Sequence, residues 1–560
     1  MQVQKQLAQA IEYHKAGKIE EAEKLYNQIL QTNRNNPNVF AILSMAYSGL
    51  GDSYWDKGNI KIATDNYLKA IKLNPKNFEA YNNLGMLYSS QKMLNEAISC
   101  YEKALKINPN CAEIHNNLGT VYFDRGEVQK ALNCHEQAIR IKPDYAEAFY
   151  NLGNAYKNSK NYEKALACYS KAIELKPDFV QAYVNLGLVH HYRNEPKKEL
   201  ICYRKAEELA PNSAEVLNNI GNMQRDAVRL EQAIEYFEKA IQYDPQKDDA
   251  YVNAAISYLA LKNFDKGWKY YQRRLNDNHI YQEKIKRIKQ PVWTGQPLQG
   301  KTLYVYYEQG FGDSINFVRF LSVLNSMDAK VLFQPQKELI DLFKINDLKA
   351  EVIANEPVEF DYHVPLLSIP GILGVNDKNI GFSGKYLNAD PEKVQFYKEK
   401  YFNNDCFKLG INWQCRNAKH VDIFRSVPHI SDFYPFLRLP NIKIYSFQKG
   451  CGTDQLNTLP DDIKIINLGD DFKDFSDTAA ALENIDLLIT VDTAVSHLAG
   501  ALGRSVWALL QTVPDFRWFL EGEATQWYDS MKLFRQSSPN QWEEVINRVY
   551  QELQCMPCMT

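Results

Sequence analysis

A period of 34 residues runs through the first half of this 560-residue chain and constrains its fold more than any other feature. Prolines and glycines both recur at this interval. The prolines are Pro75, Pro109, Pro143, Pro177, Pro211 and Pro245, and the glycines are Gly51, Gly85, Gly119, Gly153, Gly187 and Gly221. Proline ends a helix, and glycine lets two helices approach closely. The period therefore predicts stacked helical units, because one such unit cannot bury its apolar face alone.

Small and aromatic residues at matching positions complete the pattern, for example Ala63 with Ala97 and Tyr67 with Tyr101. The pattern resembles the tetratricopeptide repeat, a helix–turn–helix unit, and six units agree at several positions each. One diverged unit precedes them and another follows, which predicts about eight units over residues 1–282. The resemblance implies an all-helical superhelix whose concave face receives an extended partner.

A column of asparagines shares the same spacing, and five of its six members stand two residues before one of these glycines. Its members are Asn83, Asn117, Asn151, Asn185, Asn219 and Asn253. A carboxamide donates and accepts hydrogen bonds, so the column could hold a peptide backbone without reading its sequence. Alternatively, asparagine is common at this position of the repeat and bonds within the array. A resemblance to O-GlcNAc transferases, in which such a column holds substrate, supports the first interpretation, and both stay open.

The period is lost after residue 282, and the composition predicts a linker over residues 283–300. The letters GQPLQGKT at 295–302 match the phosphate-loop pattern GxxxxGK[ST]. A true phosphate loop must follow a buried strand and open a helix. Here the apolar run 303–307 comes after the match and predicts a strand, so we interpret the match as accidental.

Apolar runs alternating with amphipathic segments predict two α/β halves, a short one over 301–400 and a second over 401–560. In the first half, EQGFGD places Asp313 at the start of a helix, where a capping role is the structural alternative. In the second half, a loop after the strand 407–413 carries four potential cations. They are Arg416, Lys419, His420 and Arg425. Such a loop suits a diphosphate, although a solvated loop has the same composition.

The stretch 487–510 predicts a strand, a polar turn, a helix and a second strand. In such units ligands bind at the carboxyl ends of strands, where Asp492, Thr493 and His497 fall. Backbone N–H groups at the helix start would suit a phosphate. The stretch therefore predicts a nucleotide or phosphate site. A turn-forming role for Asp492 and a locally bonded role for His497 stay open.

Taken in order, EQGFGD, a loop ending in Arg425-Ser426, SFQKG, DFSDTAA, TVDTAVSHLAGALG and PDFRW resemble the glycosyltransferase family that includes bacterial heptosyltransferases. The resemblance covers about residues 290–555 and is greatest for members that carry tetratricopeptide repeats. It implies a GT-B fold, in which two Rossmann-like halves face a cleft. It also implies a nucleotide-sugar donor as substrate, with no cofactor and no obligatory metal. The predicted fold class is thus multidomain, α followed by α/β, with a short first half.

The resemblance implies roles for individual residues on both sides of the cleft. Asp313 corresponds to the proposed general base for the acceptor hydroxyl. The segment that holds the donor diphosphate corresponds to Asp492, Thr493, Ala494 and His497. Ala494 stands where the family has glycine, which narrows the approach of a ligand to the backbone.

Further positions correspond to groups near the leaving phosphate and the nucleotide. Arg425, Ser426 and Lys449 would lie near the leaving phosphate, where cations substitute for a metal. Asp477 and Thr478 match a segment near the nucleotide. Acceptor contacts come mainly from the short first half, so the identity of the acceptor transfers least.

Composition narrows the function class. A net charge of −3 predicts no nucleic-acid partner. The sequence contains no apolar run of about 18 residues, so it predicts no membrane span. The ten scattered cysteines favour reduced thiols and a cytoplasmic location. A lone CxxC at Cys555 and Cys558 is a weak metal signal.

The sequence thus predicts a cytoplasmic, metal-independent glycosyltransferase whose acceptor is a protein or peptide held by the repeats. One alternative is a repeat scaffold whose transferase half is degenerate. The other is a transferase that acts on a lipid-linked or surface saccharide. The donor sugar, the base and the linkage cannot be derived from these residues.

Overall fold

The computed structural model describes residues 2–33, 36–380, 384–415, 425–539 and 541–556. The chain divides into two compact units, Met1–Pro211 and Asn212–Thr560. The helices of the first unit are α1 (Gln2–Lys15), α2 (Ile19–Thr32), α3 (Pro37–Asp56), α4 (Ile60–Leu73), α5 (Phe78–Ser90), α6 (Leu94–Ile107), α7 (Ala112–Asp124), α8 (Val128–Ile141), α9 (Ala146–Asn158), α10 (Tyr162–Leu175), α11 (Val180–Tyr192) and α12 (Pro196–Leu209). Among the described residues, no helix is both long and apolar enough to cross a bilayer.

The second unit continues the helical pairs and then changes to α/β structure. Its first helices are α13 (Ala214–Asp226), α14 (Leu230–Tyr243), α15 (Asp248–Ala260), α16 (Phe264–Tyr271) and α17 (His279–Arg287). The later helices are α18 (Phe311–Phe317), α19 (Leu321–Asn325), α20 (Ile340–Lys344), α21 (Ile369–Ile372), α22 (Pro391–Tyr401), α23 (Tyr434–Leu437), α24 (Phe475–Leu482), α25 (Ala494–Ala501) and α26 (Trp542–Gln554). Helices α1 to α16 confirm the predicted helix–turn–helix repeats.

The glycine and aromatic columns of the sequence face each other in the folded repeats. A Cβ atom on Gly153 would lie 2.6 Å from Cε1 of Tyr169, and one on Gly221 would lie 2.4 Å from Cε1 of Phe237. Real Cβ atoms do not approach this closely, so glycine is required where the aromatic ring packs against the neighbouring helix. The glycine and aromatic columns therefore recur with one period, because each ring packs where a glycine leaves room for it.

Two small parallel sheets follow the repeats. The first has the order β3-β2-β1-β4, and the second has the order β10-β9-β8-β5-β6-β7. Their strands are β1 (Thr302–Tyr306), β2 (Lys330–Gln334), β3 (Glu351–Val352), β4 (Tyr362–Pro365), β5 (Phe407–Asn412), β6 (Ile442–Ser446), β7 (Ile465–Asn467), β8 (Leu487–Val491), β9 (Val506–Leu510) and β10 (Met531–Arg535). Every residue of β8 is buried, as the uninterrupted apolar run in this segment predicts.

The predicted linker is partly helical, since α17 extends to Arg287. The phosphate-loop letters precede β1 rather than follow a strand, in agreement with our interpretation that the match is accidental. The compact units divide at Pro211, inside the repeats, and not near residue 282. Within the second unit, Trp268 of α16 donates from Nε1 to the carbonyl oxygen of Val375 at 2.7 Å. The predicted domain limits stay predictions.

Candidate functional site

Two helices that begin at the carboxyl ends of strands meet at their first turns. Helix α18 follows β1 of the first sheet, and α25 follows β8 of the second. A Cβ atom on Gly312 would lie 2.8 Å from Cδ2 of His497 and 3.5 Å from Cα of Ala494. A side chain at this position would force the helices apart. Gly312 therefore allows the contact that brings its neighbour Asp313 beside the start of α25.

The first turn of α25 presents backbone donors at a partly exposed edge. Thr493 is the N-cap, and its own N–H donates to Oγ of Ser496 at 3.3 Å. In the part of the chain that the structure describes, the N–H groups of Ala494 and Val495 meet no acceptor. Both residues are half-buried. A helix start with unsatisfied N–H groups and a positive dipole end suits an anion.

Asp492 joins the end of β8 to the basic loop that follows β5. The Nη2 atom of Arg425 lies 3.1 Å from Oδ2 of Asp492 and also donates to its backbone carbonyl at 2.8 Å. Oγ of Ser426 accepts a hydrogen bond from the backbone N–H of Cys415 at 3.0 Å. The structure thus brings Arg425 and Ser426 to the end of β8. The other predicted cations of this loop lie outside the described residues, and they are Arg416, Lys419 and His420.

His497 is fully enclosed in this site. Its Nδ1 lies 2.9 Å from the hydroxyl of Tyr528, and its ring stacks on Trp518 with centroids 5.1 Å apart. Its Nε2 lies 3.6 Å from Oδ1 of Asp492. Burial, with the nearby charge of Arg517, lowers the pKa of His497 to about 3. The imidazole is therefore neutral at neutral pH and supplies no positive charge to a phosphate.

Asp313 is held by two donors on opposite sides. Its Oδ1 lies 2.6 Å from Nη1 of Arg517, and its Oδ2 accepts the N–H of Gly310 at 3.0 Å. Arg517 also grips Asp515, with Nε and Nη2 donating to its two oxygens at 2.7 and 3.1 Å. Burial raises the pKa of the Asp515 carboxyl, but the charge of Arg517 together with the hydrogen bonds that Arg517 donates outweighs burial and leaves the pKa below its usual value.

Arg517 and Asp515 are contacts of the site that our sequence analysis missed. The motif PDFRW supported the family resemblance, yet neither charged residue received a role. An arginine flanked by Phe516 and Trp518 was the available signal, because a charge placed among buried aromatics must be paired.

Lys449 does not join this group in the structure. It follows β6, and its Nζ donates to the backbone carbonyl of Phe472. Across the described ranges, no contact links Lys449 to Arg425 or Asp492. A role for Lys449 at a leaving phosphate stays a prediction.

Asp477 and Thr478 are used locally at the start of α24. Oδ1 of Asp477 accepts from Nζ of Lys393 on α22 at 2.8 Å, and Oδ2 accepts the backbone N–H of Lys473 at 2.8 Å. The hydroxyl of Thr478 donates to the carbonyl oxygen of Asp474 at 3.4 Å. These contacts brace α24 against α22. A role toward a nucleotide stays a prediction for both residues.

The asparagine column is largely engaged within the repeats. Nδ2 of Asn117 donates to Oδ1 of Asn82 at 3.2 Å, and Nδ2 of Asn151 donates to Oδ1 of Asn116 at 3.0 Å. Amide donors of Asn83, Asn185 and Asn253 likewise reach Asp52, Tyr150 and Asn218 on the first helices of the preceding repeat units. For Asn219, the described residues provide no side-chain partner. The amide donors thus bond within the array, as the second interpretation predicts. Each asparagine of the column is half-buried, so part of its side chain is accessible to a partner.

Among the residues that the structure describes, the charged groups at the site are two guanidiniums, Arg425 and Arg517, facing the carboxylates of Asp313, Asp492 and Asp515. Within the ranges described, no group of three or more His, Cys, Asp or Glu side chains could hold a metal ion. The second cysteine of the terminal CxxC motif lies outside those ranges.

Comparison with protein families identifies the first half. A tetratricopeptide-repeat model matches residues 51–92. A second model, described as the C-terminal domain of cilia and flagella-associated protein 70, matches residues 76–277. The chain therefore contains tetratricopeptide repeats.

Similar individual proteins overlap only part of the chain. Protein FlbA of Caulobacter vibrioides is 26% identical over 328 residues, which are 53% of this chain and 53% of that protein. The chain thus spans about half the length of this curated relative.

Solved structures of similar proteins match the chain over a third of its length or so. MamA is 31% identical, with 29% of this chain and 94% of that chain covered and a TM-score of 0.27. YrrB, described as a tetratricopeptide-repeat protein with an unusual peptide-binding site, is 23% identical, with 34% and 95% covered and a TM-score of 0.29. No functional conclusion follows from TM-scores this low.

Proposed function

We propose that this chain is a glycosyltransferase that moves a sugar from a nucleotide-sugar donor to an acceptor hydroxyl. The observation that carries the proposal is the approach of Gly312 to His497 and Ala494. It supports a site where a carboxylate, Asp313, lies beside the unsatisfied N–H groups of α25. A general base and an anion site at one place are what a sugar transfer from a diphosphate requires.

The arrangement of the two sheets supports the GT-B interpretation. Each sheet is parallel, and each contributes a helix that starts where a central strand ends. Ligands of such folds bind outside the carboxyl ends of the strands. The donor would lie on the second sheet at α25, and the acceptor would lie toward α18 of the first.

The chemistry assigns one task to each side. The diphosphate of the donor binds the N–H groups of Ala494 and Val495, with the guanidinium of Arg425 near it. Asp313 takes the proton of the acceptor hydroxyl while that oxygen bonds to the anomeric carbon of the sugar. The bond from this carbon to the diphosphate oxygen breaks, and the nucleoside diphosphate leaves with the electron pair. The helix dipole and the guanidinium stabilise the developing charge.

The repeats support a protein or peptide as the acceptor. Tetratricopeptide repeats commonly present extended grooves to peptides. In the described residues the side-chain carbonyls of Asn117 and Asn151 receive no donor, and both residues are half-buried. They could accept hydrogen bonds from the backbone of a bound peptide, while their amide groups hold the array together.

A donor screen tests the proposal. Radiolabelled nucleotide sugars would be incubated with the protein, with cell lysate as the acceptor, and both transfer and donor hydrolysis would be measured. We expect Asp313→Asn to bind donor normally in calorimetry and to lose about 10²–10⁴-fold in turnover, the usual contribution of a general base. Asp492→Ala should lose donor binding, because Arg425 would no longer be held at α25.

Asp461→Asn is the matched control, since Asp461 is exposed and, among the described residues, forms no ion pair. A wild-type protein that neither transfers nor hydrolyses any donor would refute the enzymatic proposal. Full activity in both site variants would show that the reaction occurs elsewhere in the chain.

A repeat scaffold without transferase activity is the second candidate. It is favoured by the family matches, which fall on the repeats. A scaffold would bind a protein partner and no nucleotide sugar. Calorimetry with the donor panel separates the two functions directly.

A further inference from the structure

We infer that Arg517 is a positioning residue that fixes the carboxylate of Asp313 for proton abstraction, and that Asp515 holds Arg517 in place. The inference rests on the proposed transferase function. It goes beyond that function because neither Arg517 nor Asp515 is needed to define the donor site. Both lie in the segment after β9, whereas Asp313 belongs to α18 of the first sheet.

The geometry of the guanidinium gives Arg517 one orientation. Asp515 occupies the Nε and Nη2 side in a two-point contact at 2.7 and 3.1 Å. The guanidinium is planar, so this contact leaves Nη1 pointing in a fixed direction. In that direction lies Oδ1 of Asp313, at 2.6 Å. A lysine has a single nitrogen and could not span both carboxylates in this way.

The carboxylate of Asp313 is restrained from both ends. Arg517 donates to Oδ1, and the backbone N–H of Gly310 donates to Oδ2 at 3.0 Å. An ionised carboxylate has about four lone-pair sites, so each oxygen keeps one that can accept a proton. Fixing the plane of the group sets where those lone pairs point. Orientation of this kind is a large part of general-base efficiency.

Burial makes the arrangement rigid and costly to break. Arg517 is 8% exposed, and its guanidinium lies over the rings of Phe317 and Phe516 at 5.7 and 5.4 Å. Asp515 balances its charge, so Arg517 can face Asp313 without an excess positive charge beside the donor site. Removing the guanidinium would leave Asp313 and Asp515 close together with no cation between them, and Asp313 would turn to another rotamer.

Arg535, the last residue of β10, provides the structural comparison, because it contacts the segment that carries Arg517. Its guanidinium donates to the carbonyl oxygens of Trp518, Phe519 and Gly522 at 2.6, 3.0 and 3.0 Å. It therefore anchors the segment that carries Arg517, and among the described residues it makes no contact with Asp313. Arg535→Ala loosens the segment without touching the proposed base.

The test is a set of double-variant comparisons in the full chain. We expect Arg517→Ala to lower kcat by about 10²-fold, with the dissociation constant of the donor changed by less than about threefold. In a chain that already carries Asp313→Asn, the same change should lower kcat no further, because Arg517 acts through Asp313. Millimolar guanidinium ion should restore at least about tenfold of kcat to Arg517→Ala, and none of it to Asp313→Asn.

Asp515→Asn is the milder variant and covers the case in which Arg517→Ala folds poorly, as judged by thermal melting. It keeps the side-chain shape but weakens the grip on Arg517, so kcat should fall by about tenfold, again with no further loss beside Asp313→Asn. Arg535→Ala should lower the melting temperature, and its effect on kcat should multiply with that of Asp313→Asn.

Two outcomes overturn the inference while the proposed function stands. One is a wild-type protein that transfers sugar while Arg517→Ala keeps its kcat within about threefold. The other is a loss in Arg517→Ala that multiplies with that of Asp313→Asn, as expected for Arg535→Ala. A wild-type protein with no transfer from any donor overturns the proposed function itself, and the inference with it.

Discussion

Gly312 is the residue on which the candidate site depends most. Asp313 lies in the first turn of α18, where its carboxylate accepts the N–H of the N-cap residue Gly310, and Gly312 permits α18 to touch α25. The residue types alone placed Asp313 at the start of a helix and did not indicate which other helix would lie against it. His497, which forms the other side of the contact, cannot move away because it is buried and stacked on Trp518.

Gly312→Ala should therefore destabilise the second unit. The added methyl group would lie 2.8 Å from Cδ2 of His497, and overpacking of this kind costs about 1–3 kcal/mol. Urea denaturation measures the change in unfolding free energy, and calorimetry measures donor binding, which should weaken as α25 shifts. Gly310→Ala is the control for stability, since Gly310 has φ −67 and an added methyl would meet only Oδ2 of Asp313, at the longer distance of 3.2 Å. Equal stability of the two variants would contradict the close approach.

His135 is a second residue whose behaviour follows from its surroundings. It stands in the aromatic column between Tyr101 and Tyr169, with its ring against Gly119. Its Nδ1 lies 3.0 Å from Oδ1 of Asn116. Burial lowers the pKa of His135 to about 4, so the folded protein keeps this imidazole neutral well into the acidic range.

The variant His135→Tyr should lose part of the acid sensitivity of the first unit. Between pH 6.5 and 4 the unfolded chain binds a proton at this histidine and the folded chain does not. As the pH is lowered through this range, the free energy of unfolding of the wild type decreases by at most about 1.4 kcal/mol per pH unit. Tyrosine fits because other repeats place it against the same glycine position. Urea denaturation at pH 7 and pH 5 should show the variant gaining on wild type as pH falls. A constant difference would mean that His135 binds a proton in the folded state.

At the scale of the helix, the repeats explain two columns of the sequence by packing and hydrogen bonding between neighbours. Glycine faces an aromatic ring, and asparagine donates to a group on the first helix of the preceding repeat unit. The period could be derived from the sequence, but the partner of each asparagine could not, since the contact joins residues 35 apart on different helices.

The variant Asn151→Ala tests whether this column stabilises the array. It removes the hydrogen bond to Asn116, worth about 0.5–1.5 kcal/mol. Asn133→Ala is the matched control, because Asn133 is exposed in the interior of the neighbouring helix α8 and both changes gain about the same helix propensity. We expect Asn151→Ala to be less stable than the control by about 1 kcal/mol in urea denaturation. Equal stabilities would show that the hydrogen bond of Asn151 does not stabilise the array, and would favour the interpretation that its amide binds a partner.

At the scale of the whole molecule, the compact units do not coincide with the predicted domains. The second unit includes the last two helical pairs together with both sheets. Arg274, which follows α16, places its guanidinium 2.6 Å from Oε1 of Glu308, and both side chains are buried. Burial raises the pKa of Glu308, although the charge of Arg274 opposes this shift. A buried carboxylate depends on its partner, so the sheets depend on these helices.

A fragment of residues 212–560 should therefore fold, and a fragment of residues 283–560 should not fold stably. The shorter fragment loses Arg274 and the indole of Trp268, which leaves Glu308 unpaired and apolar surface exposed. Loss of a buried charge partner costs about 3–5 kcal/mol, which corresponds to a melting temperature lower by about 10 °C or more. Circular dichroism and calorimetric melting compare the fragments. Equal melting temperatures would support the predicted limit at residue 282.

The sequence alone determined the repeats, the strands at 303–307, 407–413 and within 487–510, and the positions of Asp313, Asp492 and Thr493 at element ends. These follow from periodicity and from turn and cap preferences, which act over a few residues. Residues 416–424 lie outside the described residues, so the role of Arg416, Lys419 and His420 rests on the composition of the loop alone.

Only the tertiary structure decided which of these ends meet. Gly312 lies against His497, Arg517 reaches Asp313 across 204 residues, and Asp477 is taken by Lys393. The compact boundary at Pro211 is of the same kind. Such contacts depend on complementary shape and charge between segments far apart in the chain. Local sequence patterns therefore do not predict them.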